Sequence, residues 1–244
     1  MTDGLLLLHA WPIDARMWDP QRAAVPAAVA VVAPNLPGFG GSESAGDVTT
    51  MTAAAERALA AMDEAGIGRA VVCGLSIGGY VAFELWRRAR ERVGGFVLAN
   101  TRAVGDSDEA AAGRRALAER LRSEGNVVAE DPPPLLSEGA PEKLAARVRG
   151  WIAEQPAEAI AAALLGMAVR PDSTPDLATI DVPTLVITST GDRLIPPEIT
   201  TEMAQEIPGA RLETVDGAGH LTNVEAPEAF DALLLDHLAR CGIG

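Results

Sequence analysis

The pentapeptide Gly74-Leu75-Ser76-Ile77-Gly78 sets a single hydroxyl among glycines, where an apolar run ends and a helix-like pattern begins. A serine at the tip of a sharp strand-to-helix turn exposes its hydroxyl as a nucleophile. The tiny flanking residues let strand and helix come close. The start of the helix adds backbone N–H groups and a positive dipole end beside a developing oxyanion. G-x-S-x-G is a weak string alone; the strand–turn–helix context gives it meaning.

A neutral serine needs a base. Three histidines are available. His237, in "LLLDHLARC", reads as a surface or half-buried position of the last helix, and His9 ends the first strand. His220 sits in "VDGAGHLTNVEAPEAF", a glycine-rich loop from which a side chain can reach over a sheet edge, and it is the candidate base. The base needs an orienting carboxylate. Asp192 follows "TLVITSTGD", just past the carboxyl end of an apolar run and so on the same edge as Ser76. Asp181 precedes that run, at the wrong end, and Asp216 reads as a turn residue of its own loop. Ser76, Asp192 and His220 together make the set required for nucleophilic acyl transfer. That chemistry calls for no metal and no cofactor, and none is expected.

The elements that must position these groups alternate. Leu5–Leu8, Val29–Ala33, "RAVVCG" (69–74), "GFVLAN" (95–100), "PTLVITS" (183–189) and, more weakly, "ARLETV" (210–215) read as strands. An amphipathic helix opens at Thr52 and stops at Gly66, and a final helix carries Pro227 in its first turn. Apolar runs separated by helices predict an α/β fold, a mostly parallel sheet covered on both faces. Between Thr101 and Asp181 only helical segments and the proline-rich "EDPPPLLSEGAP" occur. Residues 102–180 therefore read as a helical cap inserted at the carboxyl end of a strand, with 1–101 and 181–244 as the core.

Composition narrows the partners. The 244 residues are 48% hydrophobic, enough for one sizeable core, and the net charge of −14 repels nucleic acid and anionic membrane surfaces. No apolar run approaches the roughly 18 residues of a membrane span. "MTDGLLLLHAW" lacks the basic start of a signal peptide, so a cytoplasmic protein is the expectation. Cys73 and Cys241 lie far apart, and Cys73 reads as a buried thiol.

With these pieces in place the chain resembles the α/β-hydrolase superfamily over nearly its whole length. Within it, the chain looks most like small esterases, enol-lactonases and cofactor-free haloperoxidases. The matching stretches are "LLLLHAWPIDARMW", "PNLPGFGGSE", "GLSIGG", "TSTGDRLIPPE" and "GAGHLTNVEAPEAF". The resemblance implies that the backbone N–H groups of Trp11 and Ile77 form the oxyanion hole, with His9 shaping the loop that carries Trp11. Three departures stand out. Ala10 replaces the family's usual glycine, which implies strain if the backbone there is left-handed. Asn35 stands where aspartate is commoner. The antiparallel hairpin that usually precedes the first parallel strand is missing, which would leave "VAVVA" as a sheet edge open to pairing in a homodimer. Light scattering at high concentration tests that expectation.

The expected reaction is hydrolysis of a small carboxylic ester or lactone through an acyl-enzyme. The same three residues would also serve a perhydrolase or haloperoxidase, or a hydrolase of carbon–carbon bonds. A ligand-binding protein that keeps the fold without turnover is the alternative of another class. For the substrate, Arg102, just past "FVLAN", is a candidate carboxylate contact of the kind an enol-lactone acid needs. Trp151, Leu164, Leu165 and Met167 are candidate apolar lining.

Overall fold

A computed structural model describes residues 2–243. Six strands form one sheet in the order β2-β1-β3-β4-β5-β6, with every neighbouring pair parallel. The first half runs β1 (Thr2–Leu8), α1 (Asp19–Ala24), β2 (Ala30–Val32), α2 (Met51–Glu64), β3 (Ile67–Leu75), α3 (Ile77–Ala89) and β4 (Val93–Ala99). Leu5 to Leu8 and Val71 to Leu75 are buried on both faces, as central parallel strands between two helical layers must be. The α2 helix starts one residue before the expected Thr52, because the Thr50 side chain caps it by accepting the Ala53 N–H.

Helices alone fill the interval between β4 and β5: α4 (Asp108–Glu124), α5 (Val127–Glu130), α6 (Glu142–Ala153), α7 (Ala157–Ala168) and α8 (Thr174–Leu177). The chain then returns to the sheet through β5 (Thr184–Ser189), α9 (Pro197–Glu206), β6 (Arg211–Val215), α10 (Thr222–Glu225) and α11 (Pro227–Arg240). The weak strand expected at 210–215 is β6, an edge strand whose residues alternate in exposure. At the other edge lies β2, in the position expected for "VAVVA" and only three residues long. Among the described residues no strand precedes β1, and no helix is long and apolar enough to cross a membrane.

His237 corrects the reading from sequence, since it is buried, on the face of α11 turned to the sheet. Burial, with Arg211 nearby, pushes its pKa down to about 4. His9 is also buried, and burial takes it to about 4 against the opposing pull of the Ala10 carbonyl and Asp14. Both are therefore neutral in the folded protein at pH 7, while the unfolded chain titrates near 6.5. As pH falls from 6.5 toward 4 the unfolded chain binds protons that the folded chain refuses, so stability drops through that window. His9 alone accounts for about 3 kcal/mol. Urea unfolding should show a midpoint at pH 4.5 well below that at pH 7, and equal midpoints would contradict the assignment.

Candidate active site

Ser76 forms the junction between β3 and α3. Its backbone sits at φ 58° and ψ −116°, a conformation that non-glycine residues adopt only when their surroundings enforce it. The enforcement is visible. The Ser76 N–H donates to the Ala99 carbonyl at 3.1 Å, while its own carbonyl accepts from the Gly79 N–H at 2.9 Å and the Thr101 hydroxyl at 2.8 Å. A Cβ on Gly78 would collide with the Leu8 carbonyl oxygen, and one on Gly74 with the Gly78 carbonyl. The two glycines of the pentapeptide thus permit the close approach of β3, α3 and β1 that the turn needs.

His220 and Asp192 meet over the carboxyl edge of the sheet. Asp192 follows β5 and His220 follows β6, and the His220 Nδ1 lies 2.9 Å from the Asp192 Oδ2. The carboxylate is nearly saturated with donors. Its Oδ1 accepts from the backbone N–H groups of Leu194 (2.9 Å) and Ile195 (3.0 Å), and its Oδ2 also accepts from the Asn100 amide at 3.0 Å. Burial alone would raise its pKa, but His220, the Ile195 N–H and Asn100 outweigh it and hold the carboxyl below its ordinary range. An ionised, acceptor-only Asp192 fixes the proton of His220 on Nδ1 and leaves Nε2 as the free acceptor.

Asn100 went unrecognised in the sequence. It ends "FVLAN" at φ 44° and binds Asp192, the Ser189 hydroxyl and, through its Oδ1, the Thr222 hydroxyl. A polar residue closing an apolar strand beside the serine's strand was the available signal. Glu225 holds the histidine's loop from the other side, accepting from the backbone N–H groups of Gly219 (2.9 Å) and Ser137 (3.0 Å).

A cavity of about 120 Å³ is lined by Ser76, His220, Trp11, Tyr80, Arg102 and Arg114, with Met167, Pro133, Leu194 and Ile195 completing its wall. Among the described residues Ser76 Oγ makes no hydrogen bond, so its hydroxyl is free toward that space. An adjoining cleft of about 630 Å³ shares Trp11, Arg114 and Pro133, and Leu164 and Leu117 contribute apolar surface to it. Of the candidate substrate contacts, Arg102 and Met167 line the first space and Leu164 the second. Trp151 and Leu165 line neither. Trp151 is part-buried on α6, with the Arg147 guanidinium 5.4 Å from its ring.

The loop after β1 carries Trp11. Its indole Nε1 donates to the Ile160 carbonyl of α7 at 3.2 Å, while its backbone N–H donates to no turn, loop or cap acceptor among the described residues. Ile77 is the first residue of α3, where an N–H has no partner within the helix. His9 pins this loop by donating from Nδ1 to the Ala10 carbonyl (2.9 Å) and accepting the Leu36 N–H at Nε2 (2.9 Å). Ala10 is not in the left-handed region, so replacing the usual glycine brings no backbone strain there. Asn35 bridges the Ala15 N–H (2.9 Å) and the Gly40 carbonyl (3.0 Å), so its uncharged amide braces two loops.

The sequence model of the alpha/beta hydrolase family matches residues 5–233. A 3-oxoadipate enol-lactonase of Acinetobacter baylyi is 31% identical over 222 residues, covering 89% of this chain and 81% of that protein. A pimeloyl-[acyl-carrier protein] methyl ester esterase of Aromatoleum aromaticum is also 31% identical, over 95% of this chain and 96% of its own length. Among solved structures, a thermophilic esterase from Thermogutta terrifontis, with malate bound, superposes with a TM-score of 0.93. It is 40% identical and covers 99% of this chain and 92% of that one. The family match runs from within the first strand into the last helix and so reaches all six strands, and the chain belongs to the alpha/beta hydrolase family.

Proposed function

We propose that the protein is a serine hydrolase that cleaves small carboxylic esters or lactones through an acyl-enzyme. The observation carrying this reading is the shared cavity of Ser76 and His220, with His220 held at its far nitrogen by an ionised Asp192. In this mechanism His220 Nε2 takes the Ser76 proton as Oγ attacks the carbonyl carbon. Asp192 keeps the imidazole in that tautomer and stabilises the imidazolium. The Trp11 and Ile77 N–H groups receive the oxyanion, and loss of one such donor is worth about 10²–10³ in rate. Collapse of the tetrahedral intermediate expels the alcohol with the proton from His220. Water, deprotonated by the same histidine, then releases the acid and restores Ser76.

Residues 102–180 act as a cap in this reading. Met167, Arg114 and Pro133 wall the cavity from that segment, and the Trp11–Ile160 hydrogen bond ties it to the oxyanion loop. The pocket suits a short acyl group, and the adjoining apolar cleft leaves room for the remainder of the substrate.

The test is a panel of 4-nitrophenyl esters of graded acyl length with a few lactones, run beside labelling by a fluorophosphonate. Turnover of the short esters is expected, with stoichiometric label on Ser76 and loss of activity in proportion. Label on any other residue, or full activity after labelling, would overturn the assignment.

A further inference from the structure

Four charged side chains converge beside the catalytic cavity. The Asp106 carboxylate, 2% exposed, is contacted by Arg102 Nη2 at 2.8 Å, Arg170 Nη1 at 2.7 Å and Arg114 Nε at 2.5 Å. Three guanidinium groups share one carboxylate, so the cluster carries a formal charge of +2 in a chain whose total is −14.

The three arginines are not equivalent. Arg170 is sealed: its side chain is 2% exposed, its Nη1 and Nη2 donate to the Met167 and Val104 carbonyls, its buried Nε has no partner, and its guanidinium lies 4.2 Å from the Tyr80 ring centroid. It neutralises Asp106 from inside the protein. Arg102 and Arg114 are 26% and 21% exposed, and both line the cavity that holds Ser76 and His220. Asp106 takes up only part of their hydrogen-bonding capacity, one nitrogen of Arg102 and two of Arg114. The Arg102 Nε is buried with no partner, and Arg114 Nη1 meets only the Met167 thioether at 3.4 Å, a weak acceptor. Other acids stand nearby, and among the described residues none but Asp106 forms an ion pair with these three arginines. Asp172 lies near Arg170 and accepts from the Thr174 N–H, while Glu202 and Glu206 line a different cavity beyond Arg102 without pairing to it among the described residues.

A planar guanidinium with free N–H groups is suited to a carboxylate, and two on one wall hold it in a fixed place. We propose that Arg102 and Arg114 form an anion subsite beside Ser76, selecting short esters or lactones that carry a free carboxylate a few bonds from the reacting carbonyl. Asp106 and Arg170 are the frame: the carboxylate holds both forks at the cavity wall, and Arg170 keeps Asp106 from consuming their charge. The proposal rests on Ser76 as the reacting group.

Two matched ester pairs test it, differing only in the charge. One pair is mono-4-nitrophenyl glutarate and its neutral methyl ester, with the charge on the acyl side. The other is 3-carboxyphenyl butyrate and its neutral methyl ester, with the charge on the leaving group. In at least one pair the native protein should favour the anion by about 10- to 100-fold in kcat/KM, chiefly through KM. In the Arg102→Gln/Arg114→Gln protein that ratio should collapse toward one. Glutarate should also compete with 4-nitrophenyl butyrate in the native protein, less so as NaCl is raised, and should bind Ser76→Ala protein by calorimetry. Ratios near one in both pairs of the native protein, or no binding of glutarate, would overturn the subsite however the variant folds. Binding of glutarate by a Ser76→Ala protein that still turned over esters would instead leave the subsite standing and remove the serine.

Discussion

Replacing Ser76 by alanine is expected to lower kcat for a short 4-nitrophenyl ester by about 10⁶-fold, to a rate set only by binding and the oxyanion donors. The exchange removes one oxygen and leaves the strained turn in place. That turn is held by backbone hydrogen bonds to Ala99 and Gly79 and by the Thr101 hydroxyl, none of which uses Ser76 Oγ. The melting temperature should therefore stay within a few degrees of the parent, as for a small substitution in a folded site. Residual turnover above about 10⁻³ of the parent, in protein free of contaminating esterase, would sink the acyl-enzyme mechanism.

Asp192→Asn should cost about 10⁴-fold in kcat at neutral pH, although it changes a single atom. The reason is local. Oδ1 accepts two backbone N–H groups, from Leu194 and Ile195, so an asparagine must keep its oxygen there. Its NH₂ is then forced to the Oδ2 position, facing His220 Nδ1 and the Asn100 amide, which is itself a donor. His220 must turn its lone pair toward the new donor and carry its proton on Nε2, where it can no longer accept from Ser76. The Asn100 donor loses its acceptor as well, so a modest loss of stability should accompany the loss of rate. A variant retaining more than a tenth of parental kcat would show that Asp192 does not orient the base.

Much of this arrangement was legible in the sequence because parallel sheets obey a simple rule. Groups that follow strands share one edge, so Ser76 after "VVCGL", Asp192 after "TLVITST" and His220 after "ARLETV" had to gather there. The structure places all three on that edge, and His220 against Asp192. What sequence could not show depends on packing between helices. Arg114 is one of two adjacent arginines on an amphipathic helix, and nothing in its neighbourhood distinguishes it from Arg115. Trp151 is a candidate apolar lining residue by sequence, but on α6 it lies outside the lining of both spaces and packs against Arg147. His237 was misplaced because an edge-of-helix histidine beside charged residues resembles a surface position until the sheet covers it. The helices between β4 and β5 are likewise joined to the rest of the molecule. The Thr49 N–H donates to the Ala162 carbonyl at 3.0 Å, and a Cβ on Gly166 would strike the Thr49 carbonyl.

Asn100 has a consequence that belongs to the order of synthesis. Its side chain joins the end of β4 to Ser189, Asp192 and Thr222, partners 89, 92 and 122 positions further along the chain. A ribosome therefore delivers the serine turn long before anything that could activate it. Until roughly the last fifth of the chain has emerged, Asn100 has no carboxylate to hold and the serine no base to lose its proton to. On the proposed mechanism the nascent hydrolase is inert by construction, because its carboxylate and its base follow β5 and β6, the last two strands to be made.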